Sequence, residues 1–222
     1  MNRTVILAAG GFPSKDGEPW RVLASASRVV ACDSAADAFY GAFRRWPDVV
    51  VGDMDSVSSS PDAEVVRDAG QDDNDLAKAF ALLRERYPEV SEIHILGAGG
   101  KNEAHTVGNL GWLMEWERRS LAETGLGLAA RGINVDMVSD WTTAFAVSPN
   151  DTIEPVELYI GEGRRVSFFS TDPKLRISSQ GLQWQLDNVD LTRWWGATLN
   201  RTTAPAIRLT FNEKSPLLVV LD

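Results

Sequence analysis

Three consecutive valines, Val49–Val51, are followed by a glycine and then by two aspartates, Asp53 and Asp55. A run of β-branched residues is typical of a strand buried on both faces, as in a parallel sheet. Open α/β sheets bind ligands just past the carboxyl ends of such strands. Two carboxylates this close repel by about 4 kcal/mol at an effective dielectric of about 20. The pair therefore predicts a divalent-cation site, with a polar turn that ends the strand as the alternative.

Up to residue 142 the chain alternates apolar runs with helical patterns. The predicted strands are Val5–Ala8, Val29–Cys32, Val49–Val51, Ile93–Leu96 and Val135–Val138. The predicted helices are Asp33–Arg45, Asp75–Tyr87 and Thr106–Ser120. Such alternation predicts a mostly parallel sheet with right-handed crossovers. Residues 1–142 are therefore predicted to form a Rossmann-like α/β catalytic domain.

The pattern changes in the remaining part of the chain, residues 143–222. Short β-type runs separated by turn residues occur at Ala144–Val147, Val156–Ile160, Arg165–Phe169, Gly181–Leu186, Ala206–Phe211 and Leu217–Leu221. Many short strands at this spacing are typical of an antiparallel sandwich. A small β-sandwich domain is predicted to follow the α/β domain.

Composition excludes several classes of function. A net charge of -9 argues against a sequence-independent nucleic-acid binder, which needs a basic face. An anionic nucleotide stays possible, because a metal ion can bridge acidic groups to phosphates. The single cysteine, Cys32, fits a reducing cytoplasm. No apolar run approaches the ~20 residues of a membrane span, so no membrane partner is expected.

A second acidic cluster, Gln71–Asp75, opens the amphipathic helix Asp75–Tyr87. Asp72 and Asp75 are candidates to meet the first acidic pair at the carboxyl edge of the sheet, and Lys78 could neutralise phosphate oxygens. The alternatives are ordinary: acidic residues are stabilised in the first turn of a helix, and Lys78 could be a surface partner of Asp75.

A glycine-rich turn, Gly97–Gly100, follows the predicted strand Ile93–Leu96 and precedes a helix. This arrangement can cradle a phosphate with backbone N–H groups. The glycines could also serve only to make the turn. His105 at the helix start is either a structural hydrogen-bonding group or a base.

The second half of the chain contributes an aromatic signal. Residues Gly181–Leu186 alternate, so Leu182, Trp184 and Leu186 are predicted to face the same side of a strand. That face is either part of the sandwich core or a stacking surface for a flat, cationic heteroaromatic ligand.

In this order, the four signals resemble those of the thiamine pyrophosphokinase family. Gly52-Asp53-Met54-Asp55-Ser56 matches the family's G-D-x-D-S element, and Pro47-Asp48 precedes it as the family's P-D does. Gln71–Ala79 matches the family's Q/E-D-x-T/N-D-x-x-K-A, and the two acidic elements in this order are the more specific part of the resemblance. The weaker matches are Cys32–Ala36 to C-D-G-G-A, Gly181–Leu186 to G-L-x-W-x-L, and Thr198–Asn200 to T/S-x-N. The resemblance spans nearly the whole chain.

The resemblance implies Mg²⁺-dependent transfer of diphosphate from ATP to the hydroxyl of thiamine, giving thiamine diphosphate and AMP in a cytoplasmic homodimer. It implies that each thiamine is held near the junction of the two domains. The implied metal ligands are Asp53, Asp55, Asp72 and Asp75. The implied catalytic residues are Asp55, Asp75 and Lys78. The implied nucleotide- and thiamine-binding residues are Asp33, Gln71, Gly99, Gly100, Lys101, His105, Asn109, Trp184, Thr198 and Asn200.

Several positions depart from the family pattern. Asn102 stands where close bacterial relatives have Arg, Ala104 where they have Asp, and Ala9 where Asn is expected. Ser34 and Ala35 replace two glycines. Losing the Arg removes a bidentate phosphate contact. Two alternatives therefore stay open: a weakened homologue that binds thiamine or nucleotide without turnover, and a D-x-D phosphatase of the haloacid-dehalogenase type.

Overall fold

The computed structural model of the protein describes residues 3–54, 62–68, 70 and 73–222. Contacts divide the chain into two compact units. The first comprises residues 1–109 and 133–141, and the second comprises 110–132 and 142–222. The predicted boundary between residues 142 and 143 stays a prediction.

The first unit is built on six parallel strands in the order β6-β5-β1-β2-β3-β4. The strands are β1 (Arg3–Leu7), β2 (Arg28–Cys32), β3 (Val49–Gly52), β4 (Glu64–Arg67), β5 (Glu92–Leu96) and β6 (Asn134–Val138). The helices are α1 (Glu18–Ala24), α2 (Ala35–Phe43), α3 (Asp75–Arg86) and the start of α4 (Glu103–Thr124). From β1 the chain first adds β2, β3 and β4 on one side, and it then adds β5 and β6 on the other side.

Burial explains why these residues form a parallel sheet. Val49, Val50 and Val51 are at most 1% exposed, as expected for a strand covered on both faces. Leu76, Ala79, Phe80 and Leu83 form the buried face of α3. Since β1 has β5 on one side and β2 on the other, the strand order reverses at β1. Ligands bind at such a reversal in open α/β sheets.

The second unit holds two antiparallel sheets and the remainder of α4. One sheet has the order β12-β9-β14-β7, from β7 (Thr143–Val147), β9 (Arg165–Phe169), β12 (Asn200–Arg201) and β14 (Leu217–Leu221). The other has the order β11-β10-β13-β8, from β8 (Val156–Tyr159), β10 (Arg176–Gln180), β11 (Val189–Asp190) and β13 (Ala206–Phe211). Both contribute to one core, which makes the unit a sandwich.

The predicted fold class is confirmed, but one predicted strand is wrong. Residues Gly181–Leu186 form an irregular segment with a single bridge from Leu182 to Thr202. Leu182 and Leu186 are buried, whereas Trp184 is 59% exposed. A left-handed glycine at the start, Gly181 with φ 86°, breaks the alternation that the pattern assumed.

Within the described part of the chain, no helix is long and apolar enough to cross a membrane.

Candidate functional site

A cavity of about 450 Å³ lies in the first unit at the carboxyl ends of the central strands. Its walls come from the turns after β1, β3 and β5, the last residue of β2, and the start of α3. The cavity therefore occupies the strand reversal, where a doubly wound sheet is expected to bind its ligand.

One wall of the cavity is acidic. Asp53 follows β3, Asp75 is the first residue of α3, and Asp73 precedes that helix; all three line the cavity. The turn at Met54 has a left-handed φ of 70°. Among residues 3–54, 62–68, 70 and 73–222, no three carboxylate, histidine or cysteine side chains form a metal-holding group. Asp55, Gln71 and Asp72 lie outside the described residues.

Cys32 lines the same cavity and reports the charge around it. Its Sγ lies 3.5 Å from the backbone oxygen of Asp75. Burial raises the pKa of the Cys32 thiol, and the negative charges of Asp75 and Asp33 raise it further. Asp33 directly follows β2, is buried, and has a left-handed φ of 46°. Asp75 and Asp33 thus place negative charge near the Cys32 thiol.

Two lysines line the cavity beside the acidic residues. The Nζ of Lys78 donates to the backbone oxygen of Asp68 at 2.9 Å and lies 3.5 Å from the Asp75 carboxylate. The Nζ of Lys101 donates to the backbone oxygen of Ala9 at 3.0 Å. The lysines supply positive charge where an anionic ligand would need it.

The glycine turn after β5 is joined to the turn after β1 by backbone hydrogen bonds. Gly10 N–H donates to the Gly97 oxygen at 2.7 Å, and Gly11 N–H donates to the Gly99 oxygen at 2.6 Å. A Cβ on Gly10 would overlap the carbonyl oxygens of Gly97 and Gly99. Gly100, also predicted to bind phosphate, has a left-handed φ of 85°.

Gly10 was missed as a site residue. The sequence showed only a Gly-Gly turn after β1. It did not show the close contact of Gly10 with the Gly97 and Gly99 carbonyls, which requires glycine.

The start of α4 explains one departure from the family pattern. The Oδ1 of Asn102 accepts from the backbone N–H of His105 at 3.2 Å, as an N-cap side chain does. Asn102 therefore caps this helix. His105 and Ala104 are exposed, and His105 lines the cavity.

Asn109 is buried between the glycine turn and the start of α3. Its Nδ2 donates to the Ala98 oxygen at 2.8 Å, and its Oδ1 accepts from the Nδ2 of Asn74 at 3.0 Å. Asn74 in turn caps α3, because its Oδ1 accepts from the backbone N–H of Ala77 at 3.0 Å. Both amides also line the cavity.

The predicted thiamine-binding residues lie in the second unit. Asn200 is buried, and its side chain makes two hydrogen bonds to the backbone of Trp184. The hydroxyl of Thr198 donates to the Trp195 oxygen at 3.1 Å. Besides Trp184, this stretch of the chain exposes Trp194, Trp195 and Leu199. The exposed indole of Trp184 is available for stacking.

Family models match both parts of the chain. Residues 20–123 match the catalytic domain of thiamin pyrophosphokinase, and residues 154–219 match the substrate-binding domain of the same enzyme. The chain belongs to the thiamin pyrophosphokinase family. Thiamin pyrophosphokinases are transferases, so the prediction of a diphosphokinase is confirmed at the level of the family. The phosphatase alternative is not favoured, since neither match supports it.

Solved thiamin pyrophosphokinases share the fold. The enzyme from Bacillus subtilis is 18% identical with a TM-score of 0.72, over 99% of each chain. The Candida albicans enzyme is 15% identical with a TM-score of 0.74, over 99% of this chain and 88% of that one. The yeast enzyme is 14% identical with a TM-score of 0.72, over 100% and 87%. No curated protein sequence matches the chain.

Proposed function

We propose that the cavity of the first unit binds the ATP phosphates, and that the chain transfers diphosphate from ATP to thiamine. The observation that carries this proposal is one cavity lined by Asp53, Asp73 and Asp75 together with Lys78 and Lys101. In the reaction the thiamine hydroxyl oxygen bonds to the β-phosphorus, the hydroxyl proton passes to solvent, and the bond between the β-phosphorus and the oxygen bridging to the α-phosphorus breaks. AMP leaves.

The acidic wall fits a hard divalent cation. The carboxylates of Asp53 and Asp75 are oxygen ligands of the kind that Mg²⁺ takes, and waters and phosphate oxygens would supply the remaining ligands. Asp55 and Asp72 are proposed as further ligands. When bound, Mg²⁺ would neutralise the charge that develops on the transferred phosphates.

The chain's own cations and backbone have separate roles. Lys78, held between Asp75 and the Asp68 oxygen, would donate to a phosphate oxygen. Lys101 would do the same from the glycine turn, and the N–H groups near Gly99 and Gly100 would cradle phosphate. Phosphoryl transfer depends mainly on positioning and charge, which this set of groups can supply.

The thiamine-binding residues are proposed to lie in the second unit. The exposed Trp184 ring would stack on the thiamine rings, one of which is cationic. Thr198 is proposed as a polar contact, and Asn200 both as a contact and as the residue that fixes the Trp184 backbone. Asp33, Gln71, His105 and Asn109 complete the proposed nucleotide-binding set. A homodimer in the cytoplasm is also proposed.

An end-point assay tests the function. AMP and thiamine diphosphate are expected only when ATP, thiamine and Mg²⁺ are all present. Binding of thiamine or ATP by calorimetry with no AMP formed would instead select the weakened homologue. Robust turnover in excess chelator would exclude the metal role, and sedimentation velocity tests the dimer.

A further inference from the structure

Two side-chain amides connect the two elements on which the proposed phosphate site is built. Starting at the glycine turn, the Ala98 oxygen accepts from Asn109, Asn109 accepts from Asn74, and Asn74 accepts from the N–H of Ala77. The three distances are 2.8, 3.0 and 3.0 Å. The chain of bonds runs from the end of β5 to the first turn of α3.

The backbone groups at the two ends fix the direction of every bond. A carbonyl oxygen can only accept, so the Nδ2 of Asn109 must face Ala98. An N–H can only donate, so the Oδ1 of Asn74 must face Ala77. The remaining Oδ1 of Asn109 and Nδ2 of Asn74 then face each other with matching roles. The link works in only one orientation of each amide.

Burial makes the Asn109 end of this link costly to break. Asn109 is 8% exposed and Ala98 is 4% exposed, so water is a poor substitute partner there, whereas Asn74 is an exposed residue. An unpaired buried polar group costs more than the net value of the bond it lost. The link therefore opposes movement of the glycine turn relative to the start of α3.

We infer that Asn109, acting through Asn74, is a positioning residue that holds the carboxylate-bearing start of α3 in register with the glycine turn. This inference rests on the proposed function, because Asp75 and the glycine turn are proposed to act on the same phosphates. A displacement of about 1 Å between such groups can cost on the order of 100-fold in rate.

Three variants separate the link from the helix cap. Asn109→Ala removes the link. Asn74→Ser also removes it but keeps a good N-cap, because serine caps helices about as well as asparagine. The double variant removes both partners. Asn212→Ala is a control at an exposed residue of the second unit: Asn212 also accepts from a backbone N–H, that of Arg176, and donates to a backbone oxygen, that of Lys174.

Kinetics with ATP, Mg²⁺ and thiamine measure the role of the link. Asn109→Ala and Asn74→Ser are each expected to lower kcat by roughly tenfold or more while the KM for thiamine stays unchanged. The double variant is expected to be no worse than the poorer single variant, because both remove the same link. Two results would overturn the inference: a double variant whose kcat loss is the product of the two single losses, or single variants that lose no more kcat than Asn212→Ala does.

Amide hydrogen exchange tests the link without any reference to turnover. Asn109 makes no hydrogen bond to Ala77, yet Asn109→Ala is expected to speed exchange of the Ala77 amide by roughly fivefold. The Asn212→Ala control is expected to leave that amide unchanged. An unchanged Ala77 amide in Asn109→Ala would overturn the link even in a fully active enzyme. If the wild-type protein forms no AMP, the proposed function is wrong. The exchange rate of the Ala77 amide in Asn109→Ala would still show whether the Asn109–Asn74 link supports the start of α3.

Discussion

The side chain of Asn200 holds Trp184 by both of its backbone polar groups. Its Oδ1 accepts from the Trp184 N–H at 3.1 Å, and its Nδ2 donates to the Trp184 oxygen at 2.7 Å. Asn200 is 4% exposed, while the Trp184 side chain reaches solvent. The buried side-chain amide of Asn200 therefore fixes the backbone that carries the exposed Trp184 ring.

This relationship predicts different effects for the two residues. Trp184→Ala is expected to raise the KM for thiamine by roughly fivefold with little loss of stability, because a stacking contact is worth about 1 kcal/mol. Asn200→Ala is expected to cost about 1–3 kcal/mol of unfolding free energy, since it removes two part-buried hydrogen bonds made by a buried side chain. Steady-state kinetics and urea unfolding measure the two.

Trp141→Ala serves as the control, because Trp141 is 77% exposed and lies in the first unit. It is expected to leave the KM for thiamine unchanged. A Trp184→Ala enzyme with a normal KM would remove Trp184 from the thiamine site.

The acidic wall predicts a metal-dependent loss of activity. Asp53→Asn and Asp75→Asn are each expected to lower the rate of AMP formation by on the order of 100-fold, because each removes a charged oxygen ligand. Higher Mg²⁺ concentrations should restore part of the rate. Rates measured across a Mg²⁺ titration check this.

The exposed Asp187 offers a charge-matched control, and Asp187→Asn is expected to behave as wild type. Near-normal rates for both Asp53→Asn and Asp75→Asn would return these residues to the role of a polar turn and a helix start.

The contact of Gly10 with the glycine turn predicts that a single methyl group is harmful there. Gly10→Ala is expected to destabilise the protein by about 1–3 kcal/mol and to weaken ATP binding, because its Cβ would push the Gly97 and Gly99 carbonyls away. Gly41, in α2, has no atom within 4 Å of an added Cβ. Gly41→Ala is therefore expected to stabilise by about 0.5–1 kcal/mol. Thermal unfolding and ATP calorimetry compare Gly10→Ala with Gly41→Ala. Equal changes in stability and in ATP affinity for the two variants would contradict the prediction.

His94 predicts a pH-dependent contribution to stability. Its Nδ1 lies 2.7 Å from Asp136 and its Nε2 lies 3.1 Å from Glu92. Burial acts to lower the pKa of His94, but the hydrogen bonds and charges of Asp136 and Glu92 outweigh burial and raise it above its usual 6.5. The folded state therefore binds the proton more tightly than the unfolded state, and this stabilises the protein at low pH.

The stabilisation is complete below the unfolded pKa, near 6.5, and is lost as the pH rises through the folded pKa. Replacing Asp136 by Asn removes one of the charges. The gap in unfolding free energy between wild type and Asp136→Asn is therefore expected to be largest below pH 6.5 and to shrink above it. Urea unfolding at a series of pH values measures the gap; a gap that widens with pH would contradict the assignment.

Local sequence patterns predicted the elements with strong periodicity. The valine run became β3, and the predicted helix Asp75–Tyr87 became α3, ending one residue earlier. Elements without such a signal were missed. The α1 helix has seven residues, too few for a repeating apolar face. The edge strand Glu64–Arg67 is largely exposed, so it carries little hydrophobic pattern.

The sequence predicted that several candidate residues would lie together, but not the hydrogen bonds that support them. Asp53, Asp75, Lys78 and Lys101 line one cavity, because strand ends in a parallel sheet meet at one edge. The Asn74–Asn109 bond joins residues 35 positions apart, and no local pattern encodes such a pairing. The capping role of Asn102 was also missed, because the sequence alone did not show that α4 begins at Glu103.

Cys32 lines the cavity, and its reaction with a thiol reagent can measure local opening there. It is the only cysteine in the sequence, and it is 2% exposed. A thiol-reactive dye can reach it only when the local structure opens, so labelling of the unmodified protein counts opening events at this one place. A nucleotide that occupies the cavity should slow the labelling, which would give a binding signal without any engineered probe.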